Sequence, residues 1–174
     1  MSLNPALEEA KFCPRCGEEA TVDYPRSINC PHCGYGAYYN PKPVAAAIPV
    51  TPDGRIILLR RGFDPGKDLW TFPGGFVDLG ESVEEATQRE AQEELEIDLA
   101  LTGLVGVYSR PEDRVVLIVY DATFTGEPRV TPEATEVRAF APDDLPWDEL
   151  AFWSTEQALR DLLAAGGRGA TARR

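Results

Sequence analysis

The sequence predicts an α+β fold, in which a mixed sheet lies between two helices and a small ribbon with four cysteines precedes it. The first observation is the order of the predicted elements: strands lead, one helix interrupts them and a second helix closes the chain. This order lacks the strand–helix alternation of a doubly wound sheet. The second observation is that all four cysteines lie within residues 13–33. At 174 residues the chain has room for one ordinary domain and a small accessory module.

The ribbon, residues 11–40, is predicted from two matching cysteine pairs. Each pair has a two-residue gap and is followed by a glycine: Cys13 and Cys16 before Gly17, and Cys30 and Cys33 before Gly34. The gap lets both thiolates of a pair reach one ion, and the glycine lets the chain turn back beneath it. Four thiolates predict a tetrahedral, structural Zn²⁺ site, with a hairpin over residues 20–28. A redox dithiol is the alternative. His32, the only histidine, is expected in a turn rather than as a fifth ligand.

The second domain, residues 43–165, is predicted to begin with strands. A buried strand at 44–50 precedes a turn at 51–54 and a partner strand at 55–61. A short strand at 69–72 ends at the Pro73-Gly74-Gly75 segment, which we interpret as a break. Further strands are expected at 99–108, 114–124 and 137–141. The second of these three is nearly all apolar, so we expect it to be central in the sheet.

Two helices complete the predicted domain. Ser82 is a suitable N-cap, and Glu85 three residues later completes a capping box, so a helix is expected over 82–95. Its inward face would be apolar, formed by Val83, Ala86, Ala91 and Leu95. A closing helix is expected at 154–165. Residues 1–10 and 166–174 are expected to be flexible tails.

Charge and hydropathy exclude several classes of partner. The chain has 17 basic and 29 acidic residues, a net charge of −12, which disfavours binding to nucleic acid or to a membrane surface by charge attraction. A small nucleotide is still compatible with this charge, since a divalent cation can reverse the local sign. No apolar run approaches the roughly 18 residues of a membrane span, and the first ten residues do not resemble a secretory signal. We therefore expect a cytoplasmic protein.

The helix at 82–95 is unusually acidic. Seven glutamates and one basic residue, Arg89, lie between positions 81 and 96. On a helix the carboxylates of Glu90, Glu93 and Glu94 share one edge, and such hard oxygen ligands suit Mg²⁺ or Mn²⁺. Gly75 upstream would let a backbone carbonyl reach the same ion. The alternative is an ordinary solvated face of a glutamate-rich helix.

Taken together, these residues resemble the Nudix box. The matching positions are Gly75, Glu81, Arg89, Glu90, Ala91, Glu93, Glu94 and Ile97. Glu96 stands where the family has a glycine that ends the helix. The resemblance covers residues 43–165 and implies a Nudix α/β/α sandwich that hydrolyses a nucleoside diphosphate linked to another group, with Mg²⁺ or Mn²⁺ and a structural Zn²⁺ as cofactors.

The resemblance also implies roles for individual residues. Glu90, Glu93, Glu94 and the Gly75 carbonyl would hold the divalent ions, Arg89 would orient the glutamates, and Glu81 would support the loop or join the outer metal shell. The residue that takes the proton from the attacking water varies within the family. Glu90 and Glu93 on the helix are the favoured candidates here, and Glu133 or Glu136 on a loop are the alternatives.

Cysteine pairs before a Nudix domain resemble NADH pyrophosphatases and a smaller group that includes FAD pyrophosphatases. The segment at 107–114 lacks the motif of NADH pyrophosphatases, and the segment at 145–152 fits the second group, so FAD or an ADP-ribose-like dinucleotide is the favoured substrate. Tyr108, Arg60 and Phe63 are candidate substrate contacts, with core packing or surface charge as the alternative. Arg61 and Arg110 could also contact phosphate.

A homodimer is possible, and a non-catalytic nucleotide sensor or a zinc ribbon that binds RNA or protein is the competing function.

Overall fold

The computed structural model describes residues 2–169, and side chains up to residue 166. The chain divides into two compact units: Met1–Lys42 with Arg110–Val115, and Pro43–Ser109 with Val116–Arg174. No helix within the described residues is both long enough and apolar enough to cross a membrane.

The smaller unit is a three-stranded antiparallel sheet behind a short helix. Its elements are α1 (Pro5–Glu8), β1 (Thr21–Asp23), β2 (Ser27–Asn29) and β3 (Gly36–Tyr38), with β2 in the middle. The predicted hairpin is present as β1 and β2, and β3 was not predicted. The expected flexible segment at 1–10 contains α1, in which Leu7 is buried, and the Asn4 amide donates a hydrogen bond to the Pro25 carbonyl. The other expected tail, 166–174, is helical over residues 166–169, and its residues 170–174 lie outside the described part of the chain.

The larger unit contains two sheets and two long helices. The strands are β4 (Lys42–Pro49), β5 (Ile56–Arg61), β6 (Trp70–Thr71), β7 (Gly74–Phe76), β8 (Asp98–Tyr108), β9 (Val115–Thr125) and β10 (Ala134–Phe140); the helices are α2 (Val83–Leu95) and α3 (Trp153–Gly169). Two short 3₁₀ turns, Pro142–Asp144 and Trp147–Glu149, precede α3. The strand orders are β7-β4-β9-β8 and β10-β5-β6.

Strands β4 and β9 make the four-stranded sheet a mixed one. Lys42 N donates to Arg114 O at one end, and Val50 N donates to Ala122 O at the other. The residue numbers of the two strands increase in the same direction, so the strands are parallel. The pairs β4–β7 and β8–β9 are antiparallel. The predicted central position of the apolar strand is confirmed, because β9 lies between β4 and β8.

Alternate residues of the same strands enter two separate cores. Ile56 and Leu58 of β5 pack in the core that includes Leu159 of α3, whereas Ile57 and Leu59 pack in the core that includes Leu95 of α2. A strand whose two faces are both buried reads as a continuous apolar run, as β5 does. The predicted arrangement of a sheet between two helices is therefore confirmed.

The ends of α2 show how its sequence fixes its length. Ser82 caps the first turn, and the capping box with Glu85 is complete: Glu85 N donates to Ser82 Oγ at 3.1 Å and Ser82 N donates to the Glu85 carboxylate at 2.7 Å. At the other end Glu96 adopts the left-handed conformation, with φ 57°, that glycine supplies in the family pattern. Glu96 thus ends the helix in the same conformation that a glycine would adopt.

Candidate active site

One edge of α2 carries three carboxylates of different exposure. Glu94 and Glu90 are only 4% and 9% exposed, whereas the side chain of Glu93 is half exposed. The 3.6-residue period of the helix brings Glu90 and Glu94 to the same face, toward the β7 strand. Two nearly buried acids on neighbouring turns are costly to ionise, so this face is built for something other than solvation.

Glu94 is the most strongly perturbed of these acids. Burial raises its pKa to about 8, and the charges of Glu90 and Glu133 act in the same direction. A hydrogen bond from Gly74 N, 2.8 Å from Oε2, opposes the shift, as does the positive charge of Arg61. Burial likewise raises the pKa of Glu90. Burial thus disfavours the ionised forms of both acids, and a cation bound beside them would favour those forms again.

Arg89 neutralises the outer part of the cluster. It donates to both carboxylate oxygens of Glu81, at 3.1 and 2.8 Å, to Glu90 at 2.7 Å and to Glu93 at 3.0 Å. A fifth hydrogen bond, at 2.9 Å, goes to the Phe76 carbonyl. Because the guanidinium group is planar and carries five donors, one side chain can join the helix to the preceding loop in this way.

Glu81 belongs to the loop rather than to the helix edge. Its Oε1 atom accepts a hydrogen bond from Asp78 N at 2.7 Å in addition to those from Arg89. The hydrogen bonds from Arg89, together with that from the Asp78 backbone, lower the pKa of Glu81. Glu81 therefore stays ionised and ties the loop between β7 and α2 to Arg89.

Gly75 lies directly against the Glu90 carboxylate. A Cβ atom placed at position 75 would overlap both carboxylate oxygens of Glu90. Gly75 pairs with Ala45 across β4 and β7, so its backbone position is fixed by the sheet. This contact leaves the peptide backbone of Gly75 and the Glu90 carboxylate side by side, as a joint carbonyl and carboxylate site for a hard cation requires.

The carboxylates are not gathered around a single point. Among the described residues, the four cysteines are the only group of three or more acidic, histidine or cysteine ligands whose donor atoms all lie within 4.8 Å of one another. Arg89 engages Glu90 and Glu93, while Glu94 accepts from Gly74. The donor chemistry fits Mg²⁺ or Mn²⁺, and these hydrogen bonds are what an ion would compete with.

The two acids predicted on a loop as alternative proton acceptors differ in position: Glu133 precedes β10, whereas Glu136 lies within that strand and not on a loop. Glu133 interacts electrostatically with Glu90 and Glu94, and it is held near them because Thr131 donates to Glu94 O while Glu133 N donates to Thr131. Glu136 instead lies 3.6 Å from the guanidinium of Arg60. The structure therefore brings Glu133, but not Glu136, to the carboxylate cluster.

The three candidate substrate contacts are placed in different environments. Tyr108 is 7% exposed, packs in the core on the α3 side and donates a 2.9 Å hydrogen bond to Asp161, so its ring faces packing neighbours rather than a ligand. Arg60 is engaged by Glu149 at 2.8 Å and by Glu136. Phe63 is 44% exposed and remains open to a ligand. Arg61 lies close enough to Glu94 for its positive charge to lower the pKa of that acid.

The smaller unit places the four cysteines as one cluster. The Sγ atoms of Cys13 and Cys33 are 3.7 Å apart, those of Cys16 and Cys30 are 3.6 Å apart, and no disulfide joins them. Both following glycines have positive φ, 80° at Gly17 and 71° at Gly34, as the sharp turns require. Burial raises the pKa of the Cys13 thiol, but hydrogen bonds from the Arg15 and Cys16 backbone and from neighbouring thiols outweigh it and lower the pKa to about 7. This donor set fits Zn²⁺.

Comparison with known proteins places this geometry in a family. The NUDIX domain model matches residues 41–162. The chain is 34% identical over 134 residues to the ADP-ribose pyrophosphatase of Methanocaldococcus jannaschii. The alignment covers 74% of this chain and 77% of that protein. The chain is 31% identical over 143 residues to the NAD-capped RNA hydrolase NudC of Pseudomonas aeruginosa, covering 78% of this chain but only 49% of that one, so it spans about half the length of this relative.

Solved structures agree with the family match. A NUDIX hydrolase from Nitrosomonas europaea superposes with a TM-score of 0.81 at 29% identity, and the alignment covers 92% of this chain and 94% of that one. The matched region contains the Gly75–Glu90 contact, the Arg89 network and the buried acids of α2. The chain is therefore a Nudix pyrophosphohydrolase and belongs to the Nudix family.

Proposed function

We propose that the protein hydrolyses the pyrophosphate bond of an ADP-ribose-like nucleoside diphosphate derivative with Mg²⁺ or Mn²⁺ as cofactor. The observation that carries the proposal is the pair of nearly buried acids, Glu90 and Glu94, beside the bare backbone of Gly75. Glu90, Glu93, Glu94 and the Gly75 carbonyl would hold the ions. Such ions neutralise a diphosphate and make a water more acidic at neutral pH.

The remaining residues of the box position this set. Arg89 holds Glu90 and Glu93 at fixed places on the helix edge through 2.7 and 3.0 Å hydrogen bonds. Glu81 keeps Arg89 in its orientation by accepting from it with both oxygens. Since small misplacements of catalytic groups cost large factors in rate, this bracing is itself part of the activity.

The proton acceptor in the proposal is Glu133 rather than a helix acid. Glu133 is exposed, and among the described residues its carboxylate has no ion-pair partner within 4.0 Å, so it is free to accept a proton from water. Glu90 and Glu93 are both engaged by Arg89. The expectation that favoured the helix acids thus gives way to a loop acid that faces the same cluster.

The substrate class is supported by the relatives. A relative at 34% identity is an ADP-ribose pyrophosphatase, and a solved ADP-ribose pyrophosphatase from Streptococcus suis has a TM-score of 0.61 at 25% identity. The NudC relative is an NAD-capped RNA hydrolase, so NADH is included among the compounds to be tested. FAD, favoured together with ADP-ribose by the sequence, is tested as the second compound.

The test is product identification. The protein is incubated with Mg²⁺ and separately with ADP-ribose, FAD, NADH and a nucleoside triphosphate, and the products are resolved by chromatography. We expect AMP and ribose 5-phosphate from ADP-ribose at the highest kcat/KM. The Glu94→Gln variant should lose this activity, and the control Glu156→Gln, at a half-buried acid on α3 paired with Arg160, should retain it.

The competing function, a nucleotide sensor, predicts a different outcome. A sensor would bind ADP-ribose in the presence of Mg²⁺ without releasing AMP, and Glu94→Gln would alter affinity alone. If the wild type releases AMP far faster than the Glu94→Gln variant does, the protein is not a sensor. Absence of AMP from every compound would contradict the proposed activity.

Three further properties are part of the proposal. The cysteine cluster would hold one structural Zn²⁺, the chain would form a homodimer, and it would act on small molecules in the cytoplasm rather than on nucleic acid. The net charge of −12 supports the last point, because a polyanion would be repelled. Light scattering of the purified protein would determine the oligomer.

A further inference from the structure

Arg61 occupies a defined place beside the carboxylate cluster. It is the last residue of β5 and pairs with Ala134 of β10, the residue after Glu133. Its backbone N donates to Leu69 O at 3.0 Å, and its carbonyl accepts from Asp68 N at 2.9 Å. The next residue, Gly62, donates to Glu133 O at 2.9 Å. Arg61 and Glu133 are therefore held on neighbouring strand ends by the backbone itself.

The guanidinium group of Arg61 lies over two aromatic rings. Its guanidinium carbon lies 4.8 Å from the centroid of Phe63 and 5.2 Å from that of Phe152. Its Nε atom donates to the Pro65 carbonyl at 2.7 Å. Two ring contacts and one hydrogen bond restrict the position of the guanidinium group.

The terminal nitrogens of Arg61 differ from those of the other arginines near the site. Within residues 2–166 they have no hydrogen bond and no ion pair within 4.0 Å. Arg89, in contrast, donates to three carboxylates and to the Phe76 carbonyl, and Arg60 is paired with Glu149. No buried side-chain nitrogen or oxygen among the described residues lacks a partner, so these free donors reach solvent. Arg61 thus presents an immobilised, open fork.

The charged groups around Arg61 are carboxylates, so an anion would bind there only together with a metal ion that offsets their negative charge. Glu94 and Glu133 both interact with it electrostatically. Burial lowers the pKa of Arg61, and those carboxylates oppose the shift, so the group remains charged. A diphosphate bound to cations on Glu90 and Glu94 would lie next to this fork. Arginine binds phosphate oxygens through two parallel hydrogen bonds, each strengthened by charge.

We propose that Arg61, whose guanidinium lies over the rings of Phe63 and Phe152, binds the diphosphate group of the substrate directly. This inference rests on the proposed function and assigns the phosphate contact within it. The neighbouring Arg60 has no such role, because Glu149 and Glu136 occupy its guanidinium.

The experiment measures ADP binding with Mg²⁺ by calorimetry in Arg61→Gln, Arg61→Lys and a matched control, Arg138→Gln. Arg138 also lies over a phenylalanine ring, Phe140 at 4.9 Å, but it is exposed and farther along β10. We expect Arg61→Gln to weaken ADP binding about 10- to 100-fold and to raise KM for ADP-ribose by a similar factor. Arg61→Lys should fall between it and the wild type, and Arg138→Gln should match the wild type.

A second measurement separates phosphate binding from the metal site. Mn²⁺ affinity without nucleotide, followed by paramagnetic resonance, should not weaken in Arg61→Gln, because a positive neighbour is removed. An ADP affinity within twofold of the wild type, in a variant with an unchanged melting temperature, would overturn the proposal. If Arg61→Gln fails to fold, Arg61→Lys decides in the same way. If the wild type hydrolyses a diphosphate and Arg61→Gln binds ADP as tightly as the wild type, the role of Arg61 is rejected and the proposed function stands. A wild type that neither binds ADP nor hydrolyses any diphosphate rejects the proposed function with it.

Discussion

Gly75 and Glu90 approach each other so closely that no residue with a side chain fits at position 75. A Cβ atom at position 75 would occupy the space of both Glu90 carboxylate oxygens. The sheet fixes one partner, through pairing with Ala45, and α2 fixes the other. The glycine is thus required by close approach and not by a turn, since its φ is not positive.

Gly75→Ala should therefore abolish most activity while leaving the sheet in place. The added methyl group displaces the Glu90 carboxylate, and a displacement on the order of 1 Å costs roughly 100-fold in rate. Gly103→Ala is the control, because a Cβ atom there meets nothing within 4 Å. Measured kcat/KM for ADP-ribose should fall only in the first variant; equal activity in both would show that Glu90 does not need its present position.

Glu94→Gln should change the pH dependence of stability as well as activity. Because the pKa of Glu94 rises from 4.5 to about 8 on folding, its contribution to the free energy of unfolding is full below pH 4.5 and is lost as pH rises toward 8. Glutamine has no such penalty. In buffer free of Mg²⁺ and Mn²⁺, the variant should be more stable than the wild type by on the order of 2 kcal/mol at pH 8.5, and equal to it near pH 4.5.

Urea denaturation at the two pH values measures this difference. Added Mg²⁺ at pH 8.5 should stabilise the wild type more than Glu94→Gln, since ion binding favours the folded state. A stability difference that is the same at both pH values would mean that Glu94 does not titrate between them.

Glu96→Gly should stabilise the protein although the residue lies at the end of the acidic helix. A left-handed conformation costs a residue with a side chain roughly 1–2 kcal/mol, and the greater chain entropy of glycine offsets about 0.5–1 kcal/mol of the relief. We expect a gain of up to about 1 kcal/mol in the free energy of unfolding. Gln92→Gly, at an exposed position inside the same helix, should instead lose about 1 kcal/mol. If thermal unfolding showed that both variants lose stability, Glu96 would not be strained in the wild type.

Removal of one cysteine should release the metal of the ribbon. We expect one Zn²⁺ per chain in the wild type and none in Cys33→Ser, because a tetrahedral site needs all four thiolates. Amide exchange over residues 13–38 should then speed up, since metal binding supplies much of the stability of so small a unit. His32→Ala should keep its zinc, and a Cys33→Ser protein with full zinc content would rule out the four-cysteine site.

Local signals made α2 and the cysteine cluster predictable. The capping box of Ser82 and Glu85 and the periodic apolar face are written in adjacent residues, and the helix is found where they place it. Strand β7 was interpreted as a break because two glycines rarely form a strand. The strand exists because Gly74 lies so close to Ala46 of β4 that a side chain would clash, which only the folded sheet reveals.

The substrate contacts depend on sheet register and were less accessible from the sequence. Arg60 and Arg61 are adjacent, so they point to opposite faces of β5, and nothing local says which face meets the acids. The structure directs Arg60 to Glu149 and Arg61 toward Glu94. Tyr108 was equally ambiguous, because an aromatic residue at a strand end suits either a core or a stacking site; its burial and its bond to Asp161 place it in the core.

The most direct measurement of the central claim is anomalous X-ray diffraction from crystals of the wild-type protein grown with Mn²⁺ and ADP. We predict Mn²⁺ density bounded by the carboxylates of Glu90, Glu93 and Glu94 and by the Gly75 carbonyl, in contact with the diphosphate. Mn²⁺ bound to the diphosphate but away from these four residues, or density at none of them, would contradict the account.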